Sequence, residues 1–165
     1  GFAFLPIEFN FGRFESDFWV LLHVKKISVA QVSVAIWFVG AGTTFGDFGL
    51  NAMYLKGDAS YQGHDLDGLD DDGYTVGLTW KGAEAAKAGS YGLFANYYDL
   101  GGQTYIAHTT DADTFDGEGF KGYGVGANYT VAKNMVFTAA YYDTKSKFDT
   151  SDKDKIMWTD LTITF

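Results

Sequence analysis

The sequence contains no cysteine, one proline (Pro6) and few basic residues. Absence of cysteine fits an exported chain that needs no disulfides. No run of about 18 uncharged apolar residues occurs, because Lys25 and Lys26 interrupt the richest stretch, 18–39. The sequence therefore offers no helical membrane span. With 12 Lys and Arg against 21 Asp and Glu, the net charge is −9. That balance argues against a nucleic-acid partner, since binding a polyanion needs clustered cations to release its counterions. No basic start followed by an apolar core and a cleavage site is present, as in a mature chain or a fragment.

What is abundant is glycine and aromatics: 21 Gly, 15 Phe and 11 Tyr in 165 residues, a length suited to one domain. They are arranged with a period of two, the signature of strands with two unlike faces. Tyr74, Val76, Leu78 and Trp80 alternate with Thr75, Gly77, Thr79 and Lys81. Tyr91, Leu93, Ala95 and Tyr97 are set against Gly92, Phe94, Asn96 and Tyr98, and Tyr123, Val125, Ala127 and Tyr129 against Gly122 through Thr130. Phe48, Leu50, Ala52 and Tyr54 begin the series. Met135 to Tyr142, and Met157 to Phe165 with Asp160, Thr162 and Thr164 on its polar face, end it. The fold expected is all-β.

Connections from residue 40 onward alternate short and long. A turn is expected at 40–44, a polar acidic loop at 57–72, a short link at 82–89, a second long loop at 100–119, a tight turn at 131–134 and a mixed-charge loop at 145–155. Residues 1–43 are poorly specified. Phe2, Phe4, Ile7, Phe9 and Phe11 suggest a strand, which Pro6 would confine to an edge or a strand start. Two further strands, 17–24 and 27–39, are expected on either side of Lys25-Lys26, both faces of the second being apolar. The count reaches eight or nine strands.

Gly-Tyr-Gly-Val-Gly-Ala-Asn-Tyr-Thr-Val-Ala-Lys-Asn-Met-Val at 122–136, together with Trp-Thr-Asp-Leu-Thr-Ile-Thr-Phe at 158–165, resembles bacterial outer-membrane β-barrel porins. Within these it is similar to the group in diderm Firmicutes that carries an S-layer-homology domain ahead of the barrel. Nothing here matches that domain, so its wall-tethering role is not carried over. The resemblance covers 44–165 and implies an antiparallel transmembrane β-barrel of which this chain is the C-terminal portion. It also implies a location in the outer membrane, contact with its lipids, passive diffusion of small hydrophilic solutes and ions, and a possible homotrimer buried through 18–39. Leu161, Ile163 and Phe165 resemble the C-terminal signal read by the barrel-assembly machinery. Short turns would then be periplasmic and the loops at 57–72, 100–119 and 145–155 external.

On this reading the aromatics at both ends of the apolar face, Tyr74 and Trp80, Tyr91 and Tyr97, Tyr123 and Tyr129, sit near the two membrane interfaces. Six residues of tilted strand span roughly 15 Å. The lumen-facing set is Asn51, Thr79, Lys81, Asn96, Asn128, Thr138, Asp160 and Thr162, where lining charge biases which solute enters. Two rivals stay open. A small closed outer-membrane barrel of structural or adhesive role would fill its interior with these side chains. A soluble lipocalin-like barrel would turn the Tyr–Val–Leu–Trp face into its core, but a Gly-rich polar face covers a soluble sheet poorly.

No enzyme, cofactor or metal is expected. His23, His64 and His108 stand beside no serine or carboxylate in a strand. Gly122–Gly126 lies within a strand and not at a strand-to-helix turn, so it is no phosphate loop. Asp65, Asp67, Asp70 and Asp72 lack the spacing and closing Glu of a calcium loop and read as a solvated acidic loop giving weak cation preference.

Overall fold

The computed structural model describes residues 18–29, 32–61, 64–65, 68–105, 110, 112–115 and 117–165. The strand expected at 2–11 lies outside them. Nine strands follow in chain order: β1 (Phe18–Val29), β2 (Val32–Phe45), β3 (Phe48–Tyr61), β4 (His64–Asp65), β5 (Asp72–Lys81), β6 (Tyr91–Gly101), β7 (Gly119–Ala132), β8 (Met135–Ser146) and β9 (Lys153–Ile163). They form one antiparallel sheet in the order β1-β2-β3-β5-β6-β7-β8-β9, with the two-residue β4 pairing back onto β3. There is no helix among the described residues. β1 and β9 are the two edges, and among the described residues no pairing joins them, so the sheet is not closed into a barrel.

Two expected boundaries move. The stretch 40–44 is not a turn but the last part of β2, and the chain reverses at Gly46-Asp47, where Gly46 takes the left-handed φ of 60° that glycine adopts without strain. Gly40 and Gly42 are buried; they are small residues on a crowded face, not turn residues. Lys25 and Lys26 do not join two strands either. They sit inside β1, opposite Ile36 and Ala35 of β2. The β7–β8 turn falls at Lys133-Asn134 as expected, with Asn134 at φ 64° and an irregularity in register between Thr130 and Ala132.

The sheet is inside out by the standards of a water-soluble domain. In β5, Tyr74, Val76 and Leu78 are exposed, whereas Gly73 and Gly77 are buried. The same phase holds in β3, β6 and β7, so that Leu50, Tyr54, Leu93, Tyr97, Val125 and Tyr129 all lie on one exposed face. Aromatic rings form two rows across that face. At the short-turn end, Phe45 stacks on Phe48 at 5.9 Å, Phe48 meets Trp80 at 6.5 Å, and Trp80 meets Tyr91 edge-on at 5.9 Å. Tyr91 is then opposite Tyr129, and Tyr129 opposite Phe137. At the long-loop end, Trp37 lies 5.8 Å from Tyr54, and Tyr74 lies 6.0 Å from Tyr97, with Tyr123 opposite Tyr97. Between the rows the face carries Leu50, Ala52, Val76, Leu78, Leu93, Ala95 and Val125, all exposed.

The other face is where the burial is. Leu100, Ala112, Phe115, Phe120, Ala140 and Tyr142 form the core, against which Leu55, Phe94, Tyr98, Tyr105, Ile156 and Trp158 pack. Strands as far apart in the sheet as β3 and β9 thus contribute to one cluster, which the connection 102–118 enters through Ala112 and Phe115. Ala112 and Phe115 of that connection are therefore packed onto the inner face. The other two expected loops are shortened by their strands: β3 runs on to Tyr61, and β8 and β9 leave only 147–152 between them.

Candidate functional site

The inner face is built by alternation. At the short-turn end β3 and β5–β9 present there the residues their sequences keep small or polar, and register brings them side by side. Asn51 of β3 and Asn96 of β6 both stand opposite Gly77 of β5. Gly77 has no side chain to keep them apart, and a Cβ there would lie 2.7 Å from each Asn Oδ1. The two amides lean over it from either side. Thr79 similarly covers Gly49, whose added Cβ would meet Thr79 Oγ1 at 2.5 Å.

A second polar group forms on β7, β8 and β9. Asn128 Nδ2 donates to Thr138 Oγ1 at 3.3 Å, Thr138 stands opposite Asp160, and Thr162 Oγ1 donates to Asp160 Oδ2 at 2.7 Å. Between the two groups lies an open cavity of about 520 Å³, lined by Thr79, Asn96 and Asn128 with Phe94, Gly92, Gly82, Ala83, Leu93, Val136 and the edge of Lys81. Seven of the eight residues expected on the inner face thus fall into two adjoining polar groups.

Lys81 is the exception. Alternation places it with Thr79, but its φ is 57°, its backbone N–H donates to the Asp47 carbonyl at 2.6 Å, and its ammonium lies on the exposed side. There it sits 4.8 Å from the Trp80 ring centroid and 4.9 Å from that of Tyr91, and donates to Tyr91 Oη at 3.2 Å. Lys81 borders the cavity while its charge is turned away from it.

The inward connection is tied down at several points. Gln103 donates from its backbone to Asp70 O at 3.1 Å and from Nε2 to Leu69 O at 3.1 Å, while its Oε1 accepts from the Ala59 N–H at 2.9 Å. Gly57 leaves the room for this: a Cβ there would overlap the Gln103 carbonyl. Tyr105 Oη accepts from the Gly119 N–H at 3.2 Å, and Thr144 Oγ1 donates to Ala112 O at 3.4 Å. Burial, and secondarily the Asp113 carboxylate, push the Tyr105 phenol well above its ordinary range.

Lys147 links three segments at the loop end. Its ammonium lies 2.8 Å from Asp70 and 2.7 Å from Asp99, with its side chain only 17% exposed, and its backbone N–H donates to Gly119 O at 3.0 Å. Burial works against its charge, but the hydrogen bonds to Asp70 and Asp99 outweigh it and raise its pKa. Asp71 is taken up by Lys56 at 2.7 Å. Asp70 and Asp71 are thus engaged with lysines. Among the described residues no three His, Asp or Glu side chains gather as a metal site would require. Asp67 and His108 lie outside the described residues, and of His23, His64 and Asp65 the structure describes only the backbone.

The six aromatics singled out at the ends of the apolar face occupy the two rows described above, Tyr74, Tyr97 and Tyr123 in one and Trp80, Tyr91 and Tyr129 in the other. Leu161 and Ile163 are exposed beside Phe137 and Met135, and Phe165 lies beyond the end of β9. What sequence reasoning missed is the aromatic plug of the inner face. Its signal was present: Phe94, Tyr98, Tyr142 and Trp158 all fall on the small, polar phase of their strands. Compared with models of known protein families the sequence matches none, and no curated protein is significantly similar to it.

Proposed function

We propose that the chain is part of a bacterial outer-membrane β-barrel whose inner face lines a water-filled path for passive diffusion of small hydrophilic solutes, with a weak preference for cations. One observation carries this reading: the face with Tyr, Val, Leu and Trp is the more exposed one, banded by two aromatic rows, while the Gly, Asn and Thr face is buried or half-buried. Water penalises that arrangement, at about 25 cal/mol per Å² of apolar surface left exposed. A bilayer favours it, because an outward apolar band between aromatic girdles is what lipid and its interfaces accept.

The open sheet and the inward connection support a wider barrel than eight strands alone would make. An eight-stranded barrel has an interior just wide enough for its own side chains, and here Ala112 and Phe115 of the connection 102–118 occupy that face as well. Unpaired edge backbone is costly in hydrocarbon, so β1 and β9 would be continued by further strands. Exposed carboxylates at the loop end, among them Asp58, Asp72 and Glu118, raise the local cation concentration at the entrance. The rival reading, a non-conducting barrel, is favoured by the buried Phe115–Phe120–Tyr142 cluster, which fills the loop end of the inner face.

Planar-bilayer recording separates the two. The chain refolded from detergent is expected to give stable open steps, and under a salt gradient a reversal potential of the sign for cation preference. A folded chain that inserts but stays silent would favour the non-conducting barrel or show that this chain is only part of the pore.

A further inference from the structure

We propose that Lys81, Trp80 and Tyr91 form a binding site for the phosphate of an anionic phospholipid at the short-turn end of the exposed face; the inference rests on the membrane reading above. It starts from a backbone outlier. Lys81 is one of two described non-glycine residues with positive φ, at 57°, and the other, Asn134, occupies a two-residue turn where that conformation is common. A lysine held left-handed is strained and persists where its surroundings fix it. Here the Asp47 carbonyl fixes it through a 2.6 Å hydrogen bond. The consequence is to carry the side chain off the polar inner face, where alternation would leave it, and onto the aromatic row.

Its ammonium is held there by two ring faces and a phenol, at 4.8, 4.9 and 3.2 Å. It meets no carboxylate: among the described residues Lys56, Lys147 and Lys155 are ion-paired at the loop end, and Lys81 is not. An oriented, exposed cation without an anion, at the rim of an apolar band, matches a phosphate joined to acyl chains. The chains would lie over Leu78 and Leu93, exposed by 44% and 45% directly beyond the site. Free phosphate would gain the charge contact but not that surface, so the source is a lipid. The two remaining donors of the ammonium can reach phosphate oxygens, and the Tyr91 hydroxyl, by accepting from Lys81, keeps its own O–H free to donate.

The test is a titration of phosphatidylglycerol into the chain folded in phosphatidylcholine micelles, read by native mass spectrometry. Phosphatidylglycerol is expected to be retained over phosphatidylcholine. Lys81→Gln should weaken that retention about tenfold, the loss of one charge-assisted contact, Lys81→Arg should largely preserve it, and Lys133→Gln, at the neighbouring turn, should leave it unchanged. Millimolar inorganic phosphate should not displace the lipid. Equal retention by wild type and Lys81→Gln, or displacement by free phosphate, would overturn the site. Circular dichroism of the same samples reports separately on the underlying reading: β structure formed only with micelles but without lipid preference sinks the site alone, whereas stable β structure in plain buffer sinks the membrane reading with it.

Discussion

Leu78→Arg and Val125→Arg are each expected to destabilise the chain by about 2–4 kcal/mol in phospholipid vesicles, the cost of an arginine near the bilayer midplane on the lipid face of a barrel. Both residues are already exposed, by 44% and 42%. In a water-soluble protein, substitutions at such surface positions stay within about 0.5 kcal/mol. The same substitution at Tyr74, in the loop-end aromatic row, should cost only about 0–1 kcal/mol, because an interfacial arginine reaches water. Urea titrations of the three variants in vesicles read this gradient directly. A flat response across Tyr74, Leu78 and Val125 would mean that no hydrocarbon layer covers the face.

Releasing the inward connection is expected to have the second large effect. Phe120 is fully buried, 5.8 Å from the Tyr98 ring and 5.5 Å edge-on from that of Tyr105. Phe120→Ala should therefore lower stability by about 3–5 kcal/mol, transfer and cavity costs together. Because Tyr105 and Phe115 belong to the connection itself, much of that loss should fall on its attachment to the sheet. Protease cleavage within 102–118 should accelerate, and conductance should rise as the loop end of the inner face empties. Gly57→Ala approaches the same outcome from the other side, since its Cβ would displace the Gln103 carbonyl and strip the three Gln103 hydrogen bonds to Ala59, Leu69 and Asp70. Phe148→Ala, at a residue 68% exposed, is the control and should change none of these. If Phe120→Ala and Gly57→Ala both leave cleavage and conductance at the wild-type level, the connection is not held by these contacts.

The strands were legible where a period of two was uninterrupted. From β5 to β7 the alternation of Tyr, Val, Leu and Trp with Gly, Thr and Asn settles which residues share a face, and register then does the rest, bringing Asn51 and Asn96 over Gly77. Legibility failed where one residue type serves two purposes. Gly40 and Gly42 read as a turn, but glycine also suits a crowded inner face, and local sequence does not distinguish the two. Lys25-Lys26 read as a break, yet a strand in a paired sheet continues through charged residues as long as its backbone hydrogen bonds are made.

The inner connection was hidden for a different reason. Residues 102–118 have no period at all, and the burial of Ala112 and Phe115 depends on Phe94, Tyr98, Tyr142 and Trp158, contributed by three separate strands. Each of these aromatics breaks its strand's polar phase, but only the assembled register shows that the breaks fall in one place. Lys81 was misplaced because alternation assumes extended backbone, and a single left-handed residue at the end of β5 reverses the side to which its side chain points.

Nitroxide accessibility along β5 tests the central claim most directly, and the absence of native cysteine makes single-cysteine labelling clean. With the chain in vesicles, labels at 76 and 78 are expected to be relaxed by oxygen, which concentrates in hydrocarbon, and shielded from a water-soluble nickel chelate, whereas labels at 75 and 79 should show the opposite bias. Labels at 76 and 78 that respond to the chelate as strongly as to oxygen would contradict the account, because the apolar face would then be in water.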